Sequence, residues 1–283
     1  VRFVATVFLW LVTTVALAVA VPAMWAQKNV VDANGYAAFA QSAAKDPKLQ
    51  QAMASELTTQ IVSLASDKGY HLNSDLVRGV TTAYTQNAGF PGQFAQANRI
   101  VHTWLFTDAI RRQEGTDDRW LIDIAPMLSD PSLRQTLGTL NLDVPDTLTV
   151  PITVSDTAGI RRGQLRLLSR WGPWGSVGAA ILAGVLALLT LAVARSRGEA
   201  LAALGVSALL VGAAGWAGLE VARRYLNIAL DRTTGDIRQV ADAMVNHAEG
   251  SLHQWLNLTL AAGGVLVVFG VIVSMLGGLR RRD

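Results

Sequence analysis

Residues 172–194 read GPWGSVGAAILAGVLALLTLAVA, 23 positions without Asp, Glu, Lys, Arg or His. The hydrocarbon core of a bilayer is about 30 Å thick, and a helix needs roughly 20 apolar residues to cross it. A helix of this length in a soluble core would keep one polar face, and this one has none. Three further stretches, 3–26, 200–219 and 256–279, have the same character. Four such runs account for a composition that is 51% hydrophobic and only 16% charged, against about a quarter charged in soluble domains. The fold class expected is an all-α membrane protein: four transmembrane helices with a mostly α-helical extracytoplasmic domain containing a small two-stranded β element.

The runs divide the 283 residues into a transmembrane anchor at 1–26, an extracytoplasmic domain at 27–171 and a transmembrane helix at 172–194. A cytoplasmic turn at 195–199, a third span at 200–219 and an extracytoplasmic helical hairpin at 220–255 follow. The last span is 256–279 and a cytoplasmic tail 280–283 closes the chain. The first run also admits reading as a secretory leader with Ala18-Val19-Ala20 as a cleavage site. Its apolar stretch is long for a leader and a single arginine makes a weak basic flank, so an uncleaved anchor is expected.

Orientation follows from the short connections. Arg195 and Arg197 sit in the five-residue turn, Arg280 to Arg282 in the tail and Arg2 at the start. Arginine collects on the cytoplasmic side of short loops, which places both termini in the cytoplasm and the large domain outside. Arg161, Arg162, Arg166, Arg170, Arg223 and Arg224 flank spans on the other face, but long translocated domains follow that rule poorly. Trp25, Trp171, Trp174, Trp216 and Trp255 all fall near span ends on one face, where the amphipathic indole favours the membrane–water interface.

Charge and residue usage exclude several classes. Between residues 27 and 170 there are 14 basic and 14 acidic residues, so the pI near 9.5 comes from arginines flanking the spans. That is not the clustered basic stripe of a nucleic-acid binder. There are no cysteines, which removes disulfides, thiolate metal sites and Cys nucleophiles. Arg outnumbers Lys 20 to 4, a bias of GC-rich bacterial genomes, and Val1 fits a GTG start translated literally. The cytoplasmic segments are too short for a signalling output domain. The spans also lack the ionisable groups that pumps and exchangers place there.

Within 27–171 the pattern is helical. Asp46-Pro47 is a helix start, with Asp as N-cap and Pro in the first turn, and Leu49, Met53, Leu57, Ile61 and Leu64 follow at helical spacing. Gly69 can end that helix. Asn73 or Ser74 can cap a shorter helix through Tyr84, and Gly89-Phe90-Pro91-Gly92 reads as a turn before a helix from about Gln93 to Arg112. Two β-branched stretches, 120–124 and 147–154, read as pairing strands with a helix starting near Asp130-Pro131 between them. Pro151 restricts the second strand to an edge or a bulge. From Thr157 a helix is expected to run on into the second span. Glu220 is placed to pair with Arg223 or Arg224, and the Thr-Thr-Gly within 231–236 should turn 220–255 into a hairpin that packs on the larger domain.

The densest polar patch is Ala97-Asn98-Arg99-Ile100-Val101-His102-Thr103-Trp104. Asn98 and His102, four apart, share a helix face, and with Arg99 they are the candidate ligand- or partner-binding residues for an anionic headgroup or carboxylate. The competing reading is a buried hydrogen-bonded network that fixes helix packing. His247 and His253 lie about 240° apart on one helix and His71 stands alone, so no metal site is expected. Gly-x-Ser-x-Gly, Ser-x-x-Lys and His-Glu-x-x-His are absent. Asp117-Asp118 reads as an exposed loop, so neither catalytic residues nor a cofactor are expected. Ala180 with Gly184, Ala208 with Gly212 and Ala214 with Gly218 are small-xxx-small pairs. They suit close helix packing within the chain or against another membrane protein.

The anchor, Ala97-Asn98-Arg99 with His102, Leu121-Ile122-Asp123-Ile124-Ala125-Pro126 and the three C-terminal spans together resemble a group of largely uncharacterised four-span integral membrane proteins of high-GC actinobacteria. The resemblance covers nearly the whole chain and implies an envelope setting, without an activity. The function expected is that of a non-catalytic bacterial envelope protein. It would be an accessory or scaffold subunit that binds another envelope component, with a membrane-protein partner or a second copy and the lipid bilayer as its contacts. The alternative is a lipid- or small-molecule-binding protein assisting envelope lipid traffic, with the helices at 46–68 and 93–112 splayed around an acyl chain. An extracytoplasmic hydrolase is a third reading, which would need a cleft bringing His102 near an acid and a hydroxyl.

Overall fold

The computed structural model describes residues 2–67, 69–106, 120–123, 149–152, 165–230 and 235–279. Helix α1 (Arg2–Ala26) continues through a π-turn (Gln27–Val31) and is followed by α2 (Ala33–Ala43), α3 (Pro47–Asp67), α4 (Ser74–Thr85) and α5 (Phe90–Phe106). Two four-residue strands come next, β1 (Trp120–Asp123) and β2 (Thr149–Ile152), and then α6 (Arg166–Val193), α7 (Arg197–Leu230) and α8 (Asp236–Leu279). Helices α1, α6, α7 and α8 are long and apolar enough to cross a membrane. They fit a multi-pass integral membrane protein with lipid against its outer faces.

The chain separates into two compact units. The apolar unit holds residues 1–32, 170–232 and 246–283, and the helical unit holds 33–169 and 233–245. Helices α7 and α8 extend without a break through 220–230 and 236–255. The expected hairpin is therefore the continuation of two spanning helices, broken at Gly235, whose φ is +72°.

In the apolar unit, α7 and α8 meet along glycine. A methyl group on Gly205 would lie 2.6 Å from the Gly263 carbonyl oxygen, and one on Gly263 would lie 2.8 Å from the Gly205 oxygen. Gly198 similarly abuts the Ser274 backbone and Gly270 the Ala202 backbone, while a methyl on Gly212 would come 2.6 Å from Leu260 Cγ. The stripe repeats every seven residues on both helices, the period that keeps one seam facing a partner. Of the three small-residue pairs expected from sequence, only that of Gly212 joins this seam. Gly184 and Gly218 have open space where a Cβ would stand.

Helix α1 is joined to its neighbours by hydroxyls and an indole. Trp10 Nε1 donates to the Ala203 carbonyl at 2.8 Å, Thr14 and Ser207 hydroxyls meet at 2.7 Å, and those of Thr13 and Thr190 at 3.4 Å. Between helices in lipid such contacts contribute about 0.6 kcal/mol each.

The helical unit has an ordinary core. α2 packs on α5 and α3 on α4, and Ala40, Ala43, Ala44, Leu49, Tyr84, Phe90, Phe94 and Ala243 form one buried cluster. The Phe90 ring stands edge-on to Tyr84, with centroids 5.6 Å apart. Asp46 caps α3 by accepting from the Lys48 amide at 2.8 Å, and Gly69 follows that helix at φ +81°. Asn73 caps α4 through the Asp75 and Leu76 amides.

Helix α5 begins at Phe90, three residues before the position expected. Pro91 falls in its first turn, where a missing N–H costs nothing, so the Gly-Phe-Pro-Gly stretch starts the helix instead of delaying it. Asp236, the first residue of α8, accepts from Ser55 Oγ at 2.8 Å and Thr59 Oγ1 at 3.0 Å, a carboxylate suited to a helix N-terminus.

The strands pair antiparallel, Trp120 opposite Ile152 and Asp123 opposite Thr149. A ladder of four residues per strand is marginal by itself, and the core of the unit is helical. Asp117-Asp118, the helix near Asp130-Pro131, the run from Thr157, Arg161, Arg162, Ile124-Ala125-Pro126, the Thr-Thr of 231–236 and Arg280 to Arg282 lie outside the described residues.

Candidate functional site

Asn98 and His102 share one face of α5, as their four-residue spacing requires, and that face meets Tyr36 of α2. Asn98 Nδ2 donates to the Phe94 carbonyl one turn back at 2.9 Å, and its Oδ1 accepts from the Tyr36 hydroxyl of α2 at 3.2 Å. His102 is buried, 5% exposed. Its ring stacks on Phe106, with centroids 4.1 Å apart at 10°, and tilts against Tyr36 at 5.2 Å. Burial raises the Tyr36 phenol above its ordinary value, so it stays a neutral donor to Asn98.

Arg99, about 100° round the helix from Asn98, is exposed; its carbonyl accepts from the Thr103 hydroxyl at 2.9 Å. The structure thus brings two of the three candidates together and leaves the third apart. It adds Tyr36, which the sequence reading had not singled out. This arrangement is the chemistry of a packing network: a neutral phenol, an amide with both ends used and an imidazole sandwiched by rings. A ligand would have to displace aromatic contacts to reach His102.

The five tryptophans fall into two groups. Trp171, Trp174 and Trp216 are exposed, as side chains facing an interface would be. Trp216 also stacks on His253 at 3.8 Å and donates to Asn257 Oδ1 at 3.2 Å. Trp25 and Trp255 turn toward the helices of their own unit. Trp25 Nε1 donates to Ser251 Oγ at 3.1 Å, and Trp255 lines an apolar crevice with the Lys28 ammonium 5.8 Å from its ring centroid.

Two polar groups stand out at the same end of the apolar unit. Gln27 Oε1 and Glu249 Oε1 are buried oxygens without a hydrogen-bond partner. Glu249 does have an ion-pair partner, since Arg223 Nε is 3.5 Å from that oxygen. Arg223 therefore reaches across to α8, where the sequence had offered it Glu220. Among the described residues no group of three His, Cys, Asp or Glu side chains is placed to hold a metal ion.

No protein-family model, curated protein or solved structure matches the chain.

Proposed function

We propose that the chain is a non-catalytic accessory or scaffold subunit of a bacterial envelope, with the helical unit extracytoplasmic, both termini cytoplasmic and the helical unit binding another envelope component. The observation that supports this reading is at the α3–α4 turn. Leu64, Tyr70 and Leu76, three large apolar side chains within thirteen residues, are all exposed there, although the core of the same unit is well filled. Large apolar side chains left exposed around one short connection suit a protein contact. The Asn98–His102 face is taken up by contacts with Tyr36 and Phe106, which favours this turn for the partner.

The test is a photo-crosslinking residue placed at Tyr70 in the full chain in its native membrane, with the same residue at the exposed Gln51 as control. A single protein adduct at Tyr70 and none at Gln51 is expected, and an adduct of twice the chain's mass would identify the partner as a second copy. Adducts to lipid alone, or the same adducts at both positions, would overturn the reading. The lipid-binding alternative, as first framed around α3 and α5, is weakened because Leu49 of α3 and Phe90 and Phe94 of α5 fill a common core.

A further inference from the structure

An apolar crevice of about 680 Å³ lies within the apolar unit, with walls from α1, α6, α7 and α8. That volume falls inside the range of small-molecule sites, roughly 300–1,000 Å³. It is partly open, and its lining is almost wholly apolar. On α1 it extends from Met24 to Thr13 and on α8 from Trp255 to Leu266. Eleven residues at 1.5 Å rise is about 16 Å on each helix, close to half of a hydrocarbon core of about 30 Å. The crevice is therefore one leaflet deep. Ala180 and Ala187 line it from α6, and their small side chains leave the width that a linear chain needs.

Its Trp255 end carries a positive charge. Lys28, about one turn beyond Met24, is exposed and holds its ammonium over the Trp255 ring, 5.8 Å from the centroid. Trp25 bonded to Ser251 ties α1 to α8 at the same level. Indole and ammonium together mark headgroup depth, so hydrocarbon and cation are arranged in the order of an anionic phospholipid.

We propose that the crevice seats one acyl chain of an anionic phospholipid whose phosphate meets Lys28. The proposal rests on the spanning character of the four helices and is independent of the accessory-subunit reading. Within the bilayer, what reaches a lateral apolar opening is hydrocarbon, and close packing against it recovers dispersion contacts that a mismatched wall forfeits. The lysine adds selectivity among headgroups, since a cation near the surface gains from anionic lipid.

The test uses the full chain, delipidated in mild detergent, exposed to equimolar phosphatidylglycerol and phosphatidylcholine and read by native mass spectrometry. The wild type should retain one phosphatidylglycerol in preference to phosphatidylcholine. Lys28→Gln should lose about fivefold of that preference while still binding lipid. Ala180→Phe, which fills the crevice, should bring retention to background with helix content unchanged by circular dichroism. Equal retention of the two lipids by the wild type overturns the proposal, as does an unchanged preference in Lys28→Gln. Undiminished binding by folded Ala180→Phe also overturns it. Should Ala180→Phe fail to fold, Lys28→Gln, altered at an exposed position, still decides.

Discussion

In the apolar unit α7 and α8 approach until glycine meets backbone, whereas the core of the helical unit is built around the rings of Tyr84, Phe90 and Phe94. The contrast follows from solvent. In water, burying a large ring removes apolar area from water and is favourable by about 25 cal/mol per Å². Against lipid tails that gain disappears, and helices associate through close van der Waals packing and hydrogen bonds. Glycine, which weakens a helix in water by up to about 1 kcal/mol, here brings two backbones together. The same residue type is thus a seam in one unit and a helix terminator, at Gly69, in the other.

The largest effect should come from removing a ring where water drives the packing. Phe90 is 1% exposed, and Phe90→Ala should destabilise the helical unit by about 3–5 kcal/mol. Hydrogen exchange on the protein in detergent reads the two units separately. Protection should fall across α2 to α5 and persist in the glycine seam; an equal loss in both would break the contrast.

Next in size is a methyl group in the seam. Gly205→Ala pushes a Cβ against backbone atoms of α8 that cannot rotate away, and overpacking of this kind costs about 1–3 kcal/mol. Gly218→Ala, where a Cβ meets nothing, should be neutral or slightly stabilising by helix propensity. Thermal unfolding of the two variants side by side sharpens the comparison. Equal melting temperatures would mean that the stripe does not hold the helices.

Features that depend on a few neighbouring residues were legible in the sequence. The four spans, the Asp46 and Asn73 caps and the break at Gly69 are local events with local causes. Most of the glycine seam was not legible, because a search at four-residue spacing finds Gly212 together with Gly184 and Gly218, where a Cβ would meet nothing, and passes over Gly198, Gly205, Gly263 and Gly270. Their partners lie on another helix, and only the pairing of α7 with α8 reveals the period of seven. The candidate trio divided for a similar reason. Helical spacing placed Asn98 with His102 correctly, but whether that face met ligand or protein depended on α2. The two aromatics in the alanine-rich stretch 33–44, Tyr36 and Phe39, were the available sign that something large on α2 packs against a neighbour. The tryptophans show the same limit: residue type marks depth along a span, while the direction an indole faces is set by packing.

The smallest effect at neutral pH, and the most informative about the candidate site, concerns Tyr36. Tyr36→Phe removes a hydroxyl that donates to Asn98 and leaves an amide oxygen in a partly buried place, at a cost of about 1 kcal/mol. The pH dependence distinguishes this from a generic loss of packing. Because burial raises the phenol's pKa in the folded chain, the folded state binds the proton more tightly than the unfolded state does. The stability tied to this proton is fully present below the unfolded value near pH 10 and is lost as pH rises from there through the raised folded value. Wild-type helical-unit stability should therefore decline through that alkaline window, and Tyr36→Phe should flatten the decline. If the alkaline loss survives undiminished in Tyr36→Phe, the network around His102 is not what ties α2 to α5. The ligand-binding reading of that face would then be open again.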